Sequence, residues 1–201
     1  MKKILTFLFI SVFIFNINAQ NKINGHEYVD LGLPSGIKWA TCNVGANKPE
    51  DRGNEYAWGE TTTKSEYNPR NSITHGESMG NISGNRKYDA ARANWGGSWR
   101  MPTKREMEEL KNKCTWKMIS QSDAEGYVEG YRVTGPNGNS IFLPVVNPLV
   151  LIMDYWFGEY WSSTPDEIVN SAAYTLCFNS SECIVRREYR CVGRLVRPVS
   201  D

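Results

Sequence analysis

The 201-residue sequence contains no C-x-x-C pair and only two histidines, His26 and His75, each distant along the chain from any cysteine. That spacing excludes an ordinary Cys/His zinc site. No apolar run reaches the roughly 18 to 20 residues that a membrane-spanning helix needs. There is no basic excess either, the formal net charge being +1, so the electrostatic footprint of a nucleic-acid binder is missing. Asp30, Glu60 and Asp154 stand far apart, and nothing in the spacing pairs them as acid and base for glycoside chemistry. No internal repeat of useful length is present.

What is there begins at the N-terminus. Lys2 and Lys3 precede an apolar run from Ile4 to Phe15, and polar residues Asn16 to Asn18 lead to Ala19. This is the charged, apolar and cleavage order of a secretory signal, so residues 1–19 are expected to be removed and 20–201 to form one domain. Removal takes two lysines and leaves 21 basic against 22 acidic residues. The first cysteine is Cys42, so no thiol stands beside the cleavage point to carry a lipid. The resulting expectation is a secreted, periplasmic or cell-surface protein with no transmembrane anchor. Cys42, Cys114, Cys177, Cys183 and Cys191 all fall in the exported part, where disulfides persist. One or two bridges are expected, with connectivity open, and the odd count leaves at least one thiol over.

Local patterns divide the chain. Tyr28–Leu31 and Ile37–Thr41 are short β-like runs around the turn residues Gly32, Pro34 and Gly36. Residues 43–83 are polar but carry Tyr56, Trp58 and Tyr67, which predicts a long ordered loop pinned by aromatics. A short helix is predicted over Tyr88–Trp95, stopped by Gly96 and Gly97. A second helix opens on Pro102 and the capping box Thr103-x-x-Glu106, with Met107, Leu110 and Cys114 on one face and Glu109 and Lys113 spaced as a surface pair. The pattern then turns to period two. Tyr127–Thr134 and Ser140–Leu143 flank Gly135-Pro136-Asn137-Gly138-Asn139, a hairpin signal. Tyr160–Ser163, Ala172–Asn179, Ile184–Tyr189 and Val192–Pro198 complete a strand-rich C-terminal half, an α+β arrangement. His26 and His75 read as solvated side chains.

The block Trp99-Arg100-Met101-Pro102-Thr103-Lys104-Arg105-Glu106 resembles the W-R-L-P-T-x-x-E signature of the formylglycine-generating enzymes and of the Fibrobacter succinogenes major paralogous family. Further blocks similar to the latter are Tyr28–Gly36, Trp39–Ala46, Tyr56–Thr61, Val133–Pro144, Tyr160–Thr164 and Val196–Val199. The resemblance implies a C-type-lectin-like fold with two short helices, antiparallel sheets and long loops, in an exported protein of Bacteroidetes type. Within the block the residues read structurally: proline starts the helix, threonine caps it, Trp99 fills core and Arg100 holds a carboxylate.

Two inherited activities were weighed on the residues. Formylglycine generators bind copper through a close cysteine pair ahead of a terminal Arg-rich strand, whereas Cys183 and Cys191 are more widely spaced, a gap that fits neighbouring strands and a disulfide equally well. Calcium-dependent lectins show E-P-N or Q-P-D and a later W-N-D, and none of these triplets occurs. The expectation is therefore a domain without enzymatic activity or cofactor that binds a glycan or a surface protein. A copper-dependent oxidase and a structural component of a surface assembly are its rivals. The ligand face is expected at residues 145–159, apolar here although polar in similar sequences, with Asp154, Tyr155, Trp156, Phe157 and Glu159 as contacts. Two arrangements stay open: the rings project as a platform, or Leu149–Met153 packs onto the core.

Overall fold

The computed structural model describes residues 21–123, 126–145 and 158–201. The expected signal segment, and Asp154, Tyr155, Trp156 and Phe157, lie outside these residues.

Helix formation follows the capping chemistry. Asp89 caps α1 (Ala90–Trp95), its carboxylate accepting from the Arg92 backbone N–H, and Gly96 closes the helix at φ +66°, a conformation that favours glycine. Thr103 and Glu106 complete the reciprocal capping box of α2 (Lys104–Lys113), which turns Met107 and Leu110 fully inward. Thr103→Ala is expected to lower stability by about 0.5 to 2 kcal/mol, read from urea denaturation, because the Glu106 backbone N–H loses its acceptor. Glu109 does not turn to Lys113. It accepts instead from the backbone N–H and the hydroxyl of Ser35, tying the helix to the first turn.

Among the described residues ten strands follow the alternating and turn-bounded patterns: β1 (Lys22–Ile23), β2 (His26–Asp30), β3 (Lys38–Ala40), β4 (Thr115–Asp123), β5 (Gly126–Thr134), β6 (Ser140–Pro144), β7 (Gly158–Pro165), β8 (Ala172–Phe178), β9 (Cys183–Tyr189) and β10 (Val199–Ser200). They form three sheets, ordered β1-β2-β3-β10, β4-β5-β6 and β7-β8-β9, in which every strand pair is antiparallel. The chain is thus α+β, with two short helices set among antiparallel sheets. The hairpin between β5 and β6 turns on Gly135, where any Cβ would stand 2.0 Å from the Leu31 carbonyl oxygen, so the turn docks against the first hairpin only because glycine occupies it.

Two sequence expectations change. The last strand does not run from Val192 to Pro198. That stretch touches Tyr56 through Arg194 and Tyr160 through Leu195 in single bridges, and only Val199–Ser200 pairs regularly, with β3. It is shared among three partners because it is buried beneath all of them. Both histidines are half-buried rather than fully solvated: His26 stacks on Trp95 at 3.7 Å between ring centroids, and His75 lies beside Tyr189 with its Nδ1 buried and without a hydrogen-bond partner.

Residues 41–88 form no helix or strand, yet the segment is held from within. Trp58 is completely buried, donates from Nε1 to the Ser162 carbonyl at 2.9 Å, and lies under the Arg190 guanidinium at 4.4 Å. Arg190, itself buried, donates to the carbonyls of Ala172, Thr74 and Glu77. Tyr67 donates to the Glu55 carbonyl. The other buried arginine, Arg197, donates to Asn43 Oδ1 and to the carbonyls of Ala40, Thr41 and Phe142. Irregular backbone needs such donors, because a buried carbonyl left unpaired costs about 1 to 3 kcal/mol. One core cluster packs α2 with Leu31, Trp39, Val133 and Phe178, and a second gathers Trp58, Trp95, Trp99 and Trp161.

Candidate functional site

The alternation of β7, β8 and β9 sends one set of side chains into the first core and the other into a polar layer. Glu159 belongs to that layer. Its Oε1 accepts from Arg186 at 2.9 Å and its Oε2 pairs with Arg194 at 3.1 Å, while Glu188 Oε2 takes the same two guanidinium groups at 3.3 and 2.9 Å. Cys177 sits in the middle, its sulfur 3.2 Å from Arg186 Nε and 3.2 Å from Thr175 Oγ1. Two carboxylates thus neutralise two guanidinium groups in a mostly buried cluster. Both oxygens of Glu159 are engaged, so the one described residue among the five expected contacts is committed to ion pairing.

A different concavity carries aromatic surface. Trp116 and Met118 on β4, Tyr131 on β5, Phe178 at the end of β8 and Cys183 at the start of β9 line a cleft of about 340 Å³, with Asn179, Ser180, Ser181 and Glu182 on its rim. It exists because β4 and β9 are edge strands of separate sheets, so their ladders part where they meet. The rings pack edge to face or tilted, Trp116 on Tyr131 at 5.9 Å and on Phe178 at 5.6 Å. Tyr131 donates to the Asn179 carbonyl at 2.7 Å, and Asn179 Oδ1 accepts from the backbone N–H groups of Ser181 and Glu182, so the rim loop is fixed to the floor. The indole Nε1 of Trp116 is buried with no hydrogen-bond partner. Gly158, which directly follows Phe157, packs its backbone against the Phe178 ring, so the cleft adjoins one end of the segment expected to carry the ligand face.

This cleft was not singled out from the sequence because β4 was not. Its signal was available: Trp116 and Met118 alternate with Lys117 directly after the helix, a period-two pattern too short to stand out by itself.

All five cysteines are free thiols in the structure. Cys183 and Cys191 do not lie on neighbouring strands. They bracket β9, which alone spans about 20 Å at ~3.3 Å per residue, too far for a bridge or a shared metal ion. Burial pushes the Cys183 thiol up to about 12, and burial aided by Glu109 pushes that of Cys114 up to about 11, so both stay protonated near neutral pH. Burial also raises Cys177 and Cys191. Arg100 is bidentate to Glu106 at 2.8 and 2.9 Å and reaches Asp201, the carboxylate-holding role that its planar fork suits. Among the described residues no group of three or more His, Cys, Asp or Glu side chains is placed to hold a metal ion, and no helix is long and apolar enough to cross a membrane.

Compared with known proteins, the chain matches no family model, no curated protein and no solved structure.

Proposed function

We propose that the protein is an exported, non-enzymatic binding domain of the C-type-lectin-like kind, akin to the Fibrobacter succinogenes major paralogous family, and that its ligand is a glycan taken up by the Trp116 cleft. The observation that carries the reading is the pairing of an aromatic floor with a fixed polar rim. Sugar rings present apolar C–H faces that lie against aromatic side chains and hydroxyl groups that bond to polar side chains at a rim. Glu182 and the two serines of the rim supply the acceptors and donors that fix orientation. The family and fold assignment rests on the ordered sequence blocks, and the α+β architecture is compatible with it. Export rests on the order of residues in the first 19 positions.

The test is a glycan array followed by titration of the best ligand. Trp116→Phe keeps a ring over Tyr131 and Phe178 but narrows the face on which the sugar lies, so affinity is expected to fall about 2- to 10-fold, the worth of one ring contact, with little change in melting temperature. Glycan binding that is unaffected by Trp116→Phe and by Glu182→Ala would move the ligand off this cleft. An array without any bound glycan would remove the sugar as the ligand.

A further inference from the structure

The outer edge of β9 is open, and the hydrogen bonds at its two ends show which groups it leaves free. Asn179 N–H donates to the Glu182 carbonyl and Arg190 N–H to the Ser171 carbonyl, and the register between them pairs Cys177 with Ile184 and Thr175 with Arg186. Antiparallel ladders alternate, so even-numbered residues of β9 bond β8, while the N–H and C=O groups of Cys183, Val185 and Arg187 point away. Tyr189 ends this row, its N–H taken by Glu188 Oε1 and its carbonyl by Val192 N–H. Among the described residues β9 has no second neighbouring strand.

The same end of the molecule gathers the exposed apolar surface. The large apolar residues most open to solvent among those described are Ile168 (87%), Ile73 (65%), Tyr189 (60%) and Val169 (36%). Val169 and Tyr189, with Ala172, Arg186, Arg187 and Glu188, line a hollow of about 320 Å³ at the end of β9. Ile73 stands two residues from His75, whose ring lies 6.2 Å from that of Tyr189. The exposed cation on the hollow is Arg187, and the exposed Glu167 lies two residues from Val169. Arg187 is 55% exposed, and its contact with the buried Asp166 is long, 3.6 Å. Lys104 lies over the ring of Tyr174, the residue paired with Arg187. Glu188, the neighbouring carboxylate, is already held by Arg186, Arg194 and the Tyr189 N–H.

We infer that β9 is a docking edge for an extended, acidic segment of a partner protein, which adds as a further strand. Its backbone pairs with the outward groups of Val185 and Arg187, short of Cys183, which lines the Trp116 cleft. A carboxylate side chain sits opposite Arg187, and an apolar side chain two residues away enters the hollow beside Tyr189 and Val169. Main-chain bonds supply affinity in this mode, and alternate side chains supply selectivity. A second copy of the chain fits less well, because antiparallel self-pairing over the whole strand sets Arg186 against Arg186, and like charges directly opposite are unfavourable.

The test is selection from a random heptapeptide library on the full domain, with the affinity of synthetic hits measured by fluorescence anisotropy. Enriched peptides are expected to carry Asp or Glu two positions from an apolar residue, and N-methylation of alternate backbone nitrogens should weaken them at least 10-fold. Arg187→Glu should turn the selection toward Lys and Arg. Val185→Pro removes an outward N–H that meets no strand among the described residues, so the melting temperature should stay close to wild type while peptide binding is lost. If Val185→Pro fails to fold, the N-methyl series and Arg187→Glu decide the matter. Trp116→Phe should leave peptide binding unchanged, which separates this edge from the glycan cleft. Failure to enrich any peptide, or hits that tolerate N-methylation at every position, would overturn strand addition. A dimer in sedimentation velocity that Val185→Pro abolishes would also overturn it, assigning the edge to a second copy.

Discussion

Replacing Arg197 by methionine is expected to cost about 3 to 5 kcal/mol in unfolding free energy, measured by guanidinium denaturation. Arg197 is almost wholly buried, and no carboxylate lies among its partners. Its four hydrogen bonds run to neutral oxygens, at 2.8 Å to Asn43, 3.0 and 2.7 Å to Ala40 and Thr41, and 2.9 Å to Phe142. Methionine keeps much of the volume but no donor, so these oxygens remain buried without partners at about 1 to 3 kcal/mol each. Relief of the buried charge returns part of that cost, and burial does lower the Arg197 pKa. A loss below about 1 kcal/mol would mean that water replaces the guanidinium, and that this arginine does not hold β3 to β6.

Leu110→Ala is the second large effect, expected at about 2 to 5 kcal/mol in the same measurement. Leu110 is fully buried on the inner face of α2, in the core cluster that also holds Leu31, Val133, Phe178 and Leu195. Elements from both ends of the chain close around this residue, so the surroundings have little freedom to collapse into the space that the side chain leaves. The cost therefore belongs toward the upper part of the range. A near-neutral result would place Leu110 at a site able to repack, and α2 outside the rigid part of the core.

Those positions were legible because each obeys a local rule. The capping box at Thr103 and Glu106, the spacing of Met107 and Leu110, and the Gly135–Asn139 turn depend on residues a few places apart, and all stand where the sequence puts them. The loop aromatics Tyr56 and Trp58 were expected to pin an ordered segment, and both are buried. What escaped depends on distant partners. His26 stacks on Trp95, Glu159 is engaged by Arg186 and Arg194, and the buried arginines serve carbonyls more than a hundred residues away. The Trp116 cleft arises between two sheets whose separation no single strand encodes. Lone side chains say little about the neighbours that a tertiary fold will bring to them.

The short strand β10 has a consequence for how the chain acquires its structure. Val199 and Ser200 pair with Trp39 and Lys38, and Val199 also exchanges backbone hydrogen bonds with Arg100. Strand β3 therefore waits for residues far along the chain before its sheet is complete. A nascent chain emerging from a ribosome or translocation channel has both hairpins and α2 at hand while this closure is still missing. Closing so large a loop carries an entropic cost that local contacts do not repay, which favours folding in milliseconds to seconds rather than microseconds. Formation of the sheet is thus kinetically gated by β10, and a chain lacking it would present β3 as an uncovered edge to whatever chaperone or neighbouring chain it meets.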